Sequence, residues 1–155
     1  MATSYSEDVI DALAALLAVS GTNYDLTSRV TLGHFEAGPP GAPWVTLSIA
    51  SISVDPQAQQ APLSKWRVRV TIDLEGWAAG VTASPDGRIR GASRLASDLC
   101  AALGAARGLP TVGGVQVIDV VPSLTALDGD AHGIAPGYGL VAGTVVVEYL
   151  STGRT

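Results

Sequence analysis

Cysteine is almost absent from this 155-residue chain: Cys100 stands alone, so a disulfide framework and any multi-cysteine metal site are excluded. Charge is also scarce. Asp, Glu, Lys and Arg make up 15 % of residues, against about 25 % in ordinary soluble domains. A folded chain with so little charge often hides part of its surface in an assembly. Basic residues number 9 against 14 acidic ones, a formal charge of −5, which argues against a nucleic-acid binder that works by neutralising phosphates. No apolar run reaches the roughly 18 residues of a membrane-spanning helix. The stretch from Met1 to Asp11 carries Glu7, Asp8 and Asp11 and no basic residue, unlike a secretory or transit peptide.

What is present suffices for one core. The hydrophobic fraction is 47 %, and a chain of this length buries roughly two-thirds of its unfolded surface without disulfides or metals. No repeat or long Gly/Ser linker divides it, so residues 1–155 read as a single domain with a short polar tail from about residue 150.

The first element reads as a helix over about residues 5–19. Ser4 and Glu7 fit a capping box, the acidic residues suit the first turns, and Val9, Leu13, Leu16 and Leu17 form one stripe. A weaker strand is expected within Arg29–Phe35, and a clear one from Trp44 to Val54. Between Asp55 and Ser64 lies a polar, glutamine-rich connection containing Gln57, Gln59 and Gln60. From Trp66 to Trp77 the alternation is strict. Trp66, Val68, Val70, Ile72 and Leu74 take one face, and Arg67, Arg69, Thr71, Asp73 and Glu75 the other. A strand of this kind belongs to an antiparallel sheet covered on one side.

A second helix opens after Ser84, with the stripe Ile89, Ala92, Leu95, Ala96, Leu99 and Leu103. Cys100 reads as a small buried hydrophobe beside it. A short strand is expected over Val115–Val121, a long loop over Pro122–Gly139, and a last strand over Leu140–Leu150 with Val141, Val145, Val147 and Tyr149 on one face. The whole predicts an α+β, two-layer fold, a mostly antiparallel sheet of about four strands packed against two helices.

No catalytic constellation emerges. Asp128-Gly-Asp130-Ala-His132 alternates acids with an imidazole and could in principle hold a divalent metal. It lacks the third and fourth ligands of a zinc site and the ladder of a calcium loop, and otherwise reads as a solvated loop. No Gly-x-Ser-x-Gly elbow is present, and neither glycine loop matches a phosphate cradle. The expectation is a non-enzyme without cofactor. Arg67 and Arg69, with Asp73 and Glu75 on the same face, read either as a solvated sheet face or as a subunit interface whose charge row fixes register. Trp44, Trp66 and Trp77, at strand ends, suit either core or interface anchors.

In its organisation the chain resembles the tail terminator (tail completion) proteins of long-tailed bacteriophages. The resemblance is carried by Glu7-Asp8-Val9-Ile10-Asp11-Ala12-Leu13, by Ala42-Pro43-Trp44-Val45, by the alternating run from Arg67 to Trp77, and by Thr144-Val-Val-Val-Glu-Tyr149. It implies a virion protein, assembled in the host cytoplasm into a homohexameric ring. That ring would cap the tail tube, end its polymerisation and meet the head-completion or neck protein, with DNA only as passing cargo and no membrane partner. The contact residues it suggests are those of the charge row, of the Gln57–Gln60 loop, and Asp128, Asp130 and His132. A head–tail connector or the tail tube protein of the same virion is the nearest alternative, and a small oligomeric metal- or ligand-binding α+β domain the next.

Overall fold

A computed structural model describes residues 5–33, 41–55, 66–106, 116–130 and 137–151. Along the chain these form helix α1 (Tyr5–Leu17), strand β1 (Val30–Leu32), β2 (Trp44–Asp55), β3 (Trp66–Ala79), helix α2 (Pro85–Ala106), β4 (Gln116–Asp128) and β5 (Tyr138–Ser151). The fold is α+β, and the described sheet has five strands in the order β1-β2-β3-β5-β4 rather than about four. The additional pairing is β1, three residues lying parallel to Val45–Leu47 of β2; the other pairings are antiparallel.

The alternation in β3 decides which face meets the helices. Val68, Val70, Ile72, Leu74 and Ala78 are fully buried. They share one core with Val45 and Leu47 of β2, with Val141, Val145, Val147 and Tyr149 of β5, and with Val117 and Val120 of β4. Across this layer lie Val9, Ile10, Leu13 and Leu17 of α1 and Ala92, Leu95, Leu99 and Leu103 of α2. Each buried aliphatic side chain contributes roughly 1.5–3 kcal/mol by leaving water, so this layer is the main source of stability.

Three local expectations are corrected. The segment expected to loop from Pro122 continues as strand through Asp128, because β4 lies at the sheet border, where a proline can turn its missing donor outward. Ile89 is 40 % exposed, whereas Arg88, one position earlier, turns inward to an acidic partner. Cys100 is exposed rather than buried, since the helix stripe continues through Leu99 and Leu103 and leaves it on the outer side.

Tyr149 places a phenol in this core. Burial pushes its pKa up to about 12 from the ordinary 10.0. The folded chain therefore holds the proton more tightly than the unfolded chain does. The contribution of Tyr149 is fully present below pH 10, is lost as pH rises from 10 towards 12, and amounts to about 2 kcal/mol over that window. Tyr24, raised first by burial and further by Asp98 against the opposing Arg94, steepens the same fall. Denaturant titrations at pH 9, 10, 11 and 12 should show the decline, and Tyr149→Phe should remove most of it. An equally steep decline in the variant would overturn this account.

Candidate assembly surface

Among the described residues no helix lies on the second face of the sheet, and strand pairing arranges its side chains in rows. At one end Trp44, Trp77, Leu140 and Leu127 stand side by side on β2, β3, β5 and β4. Trp77 and Leu140 are buried here, with Trp44, Leu127, Tyr138 and Ala142 packed around them. The indole N–H of Trp44 donates to Thr31 Oγ1 at 3.1 Å, and the Arg29 guanidinium lies 5.4 Å from the Trp44 ring centroid. Trp77 Nε1 and Thr46 Oγ1, both buried, have no hydrogen-bond partner among the described residues.

The middle of the face is small and polar. Ser48, Asp73, Thr144 and Ser123 form one row, and Thr46, Glu75, Ala142 and Thr125 the next. Asp73 and Glu75, both half-buried, lie in this zone and not beside the arginines.

Arginine marks the other end. Arg69 lies opposite Glu148 and donates to its Oε1 from Nε at 3.0 Å and from a terminal nitrogen at 2.7 Å. Arg67 Nε stands 3.5 Å from Glu148 Oε2. One carboxylate thus holds two guanidiniums whose side chains remain 44 % and 60 % exposed. Exposed pairs of this kind contribute only about 0–1 kcal/mol, so their effect is to orient the arginines rather than to hold the fold. A shallow hollow of about 250 Å³ opens between them, lined by Ser53, Val54, Arg67, Arg69 and Glu148.

The acidic run after β4 divides. Asp128 is buried and accepts from Arg88 Nε at 2.7 Å and from a terminal nitrogen of Arg88 at 3.1 Å. The hydrogen bond to Asp128, helped by the charges of Asp128 and Asp130, pushes the Arg88 pKa still higher. Asp130 approaches Arg88 at 3.6 Å and accepts from the Gly137 amide at 3.1 Å. These two acids therefore fasten the β4–β5 connection to α2 instead of pointing together at solvent. Gln57, Gln59, Gln60 and His132 lie outside the described residues.

Of the charge row, the structure brings Arg67 and Arg69 together and sets Asp73 and Glu75 apart from them. Glu148, which organises the arginines, was not singled out from the sequence. Its signal was the alternation of β5, which puts it on the face opposite to Val147 and Tyr149. Among the described residues, no group of three or more His, Cys, Asp or Glu side chains is arranged to hold a metal ion, and no helix is long and apolar enough to cross a membrane. What the face offers chemically is a cationic end and, at the other end, the exposed parts of Trp44, Leu127 and Tyr138. Comparison with protein-family models and with curated proteins finds no match to this chain.

Proposed function

We propose that this chain is a structural subunit of a bacteriophage neck, a tail terminator whose copies form a ring on the end of the tail tube. The observation that carries the reading is the sheet face that neither described helix covers, with partly buried Trp44, Leu127 and Tyr138 over the buried Trp77 and Leu140 at one end and the Glu148-held arginines at the other. A face graded in this way gives a neighbouring protein both contact area and a fixed polarity, and charge complementarity sets specificity more than affinity. The low charge content fits a molecule much of whose outside is interface. A net charge of −5 per subunit makes a ring of such subunits acidic as a whole, which suits a conduit that does not retain passing DNA.

Electron microscopy and mass measurement on the purified protein test this reading. The expected result is short rings of uniform diameter with a six-copy mass. Added to polymerising tail tube protein, the rings should seat on tube ends and stop elongation. Long tubes formed by the protein alone would identify it as the tube protein instead. Rings that bind the neck protein and leave tube growth unaffected would identify a connector.

A further inference from the structure

We infer that neighbouring copies of this chain join edge to edge, the outer border of β2 in one copy pairing with the outer border of β4 in the next; this rests on the ring reading above. Strand β1 flanks only Val45, Thr46 and Leu47 of β2. Beyond it, the five consecutive residues Ile49–Ser53 are all exposed although they lie in a strand. The segment carries no charge and no proline, two of the features that ordinarily protect a border strand from pairing, and its one irregularity is a shift of register between Ile49 and Ser51. At the opposite border β4 has no described strand on its outer side.

The occupant is specified by three observations. The first is where apolar side chains remain exposed. Leu32, Ile49, Ile52, Ile118 and Val121 all lie on the border strands, against Val19, Val81 and Ile89 elsewhere among the described residues. The second is height. Reading across the sheet, Ile52 is level with Val120, Ser51 with Val121, and Ile49 with Pro122. Two copies side by side at equal height thus bring the open part of β2 against the apolar part of β4 with no axial displacement. A repeat without rise closes into a ring when its rotation divides a full turn, whereas one with rise grows a filament.

The third is direction. Successive antiparallel pairings make β2 and β4 run in opposite senses. Simple rotation about an axis along the strands therefore creates a new antiparallel joint and continues the alternation of the sheet. Pro122 has no backbone donor to offer, so the ladder is expected to be strongest in the part of β4 that precedes it, where Asp119 is the one charged residue.

Single-cysteine proteins test the joint, in a Cys100→Ser background because the native thiol is exposed. Ser51→Cys and Val121→Cys proteins, each alone, should stay uncrosslinked under mild oxidation. Mixed, they should give a disulfide-linked pair, which requires Cα atoms within about 7 Å. A chain carrying both substitutions should form covalent closed rings. Ile52→Lys should raise the concentration needed for assembly at least tenfold while leaving the circular dichroism of the monomer unchanged. Rapid dimerisation of the Ser51→Cys protein alone would overturn the inference in favour of two-fold β2–β2 pairing. Rings that keep their mass and stability in Ile52→Lys, with no mixed disulfide, would overturn this joint and leave the ring reading standing. A chain monomeric up to millimolar concentration would overturn both.

Discussion

Gly139→Val is expected to cost about 3 kcal/mol or more, a large part of the stability of a domain of this size. Gly139 lies in β5 between Ala78 and Asp128 on the helix-covered face. A Cβ there would collide with the carbonyl oxygen of Arg88 and stand 2.9 Å from the Ala92 amide nitrogen. Both obstacles are backbone of α2, so no side-chain rotation relieves them. Gly91 makes the reciprocal approach from the helix: a Cβ added there would collide with the carbonyl oxygen of Ala79 and stand 3.3 Å from Gly80 Cα. The first turns of α2 therefore rest on the ends of β3 and β5 in direct backbone contact, and a valine would lift the helix away from the core. Gly104, also in α2, has nothing within 4 Å of an added Cβ. Gly104→Ala should stabilise by up to about 1 kcal/mol, the ordinary helical preference for alanine. Denaturant midpoints of the two variants should move in opposite directions. A Gly139→Val protein as stable as its parent would sink this packing account.

The contrast bears on which parts of the fold were legible in the sequence. Strict alternation from Trp66 to Leu74 identified β3 and its buried face, because period two has one structural meaning when sustained. The same parity places Trp77 on the charged face, where it is buried by neighbours from three other strands, a fact visible only once the strands are paired. Strand β1 has three residues, too few for any period to register. Pro122 looked like a strand breaker, and its border position makes it harmless. In α2 the stripe was read one position out at its start, because Arg88 faces inward to Asp128, a partner 40 residues away. Of the candidate surface, the arginines were legible by their alternation, while their organiser Glu148 needed the register between β3 and β5. Local pattern reports which way a side chain points, and pairing decides what it meets.

Asp98→Ala is expected to cost about 3 kcal/mol, for a reason equally remote in sequence. Asp98 is a helix residue, yet it is buried. Its carboxylate accepts from the Asn23 amide at 2.9 and 3.2 Å, from the Tyr24 amide at 2.8 Å, and from Asn23 Nδ2 at 3.0 Å. Two backbone donors of the α1–β1 connection thus find their acceptor on α2. Two further contacts, from Asn23 Nδ2 to the Arg94 carbonyl and from the Tyr24 hydroxyl to the Gly91 carbonyl, bind the same segment along one side of the helix. Gly21 allows the close fit, since a Cβ there would lie 2.6 Å from Asp98 Oδ2. Alanine leaves the two amides without an acceptor; asparagine keeps one carbonyl oxygen and turns an amide donor towards the other site, so Asp98→Asn should lose part of the stability. Denaturant midpoints should order parent above Asp98→Asn above Asp98→Ala, and hydrogen exchange should lose protection at Asn23 and Tyr24 before the core opens. An Asp98→Ala midpoint equal to the parent's, with those amides still protected, would sink the assignment. The connection leads directly into β1, which covers the Val45–Leu47 part of the β2 border. Loosening it lengthens the open edge of β2, so the same variant should also aggregate more readily than the parent.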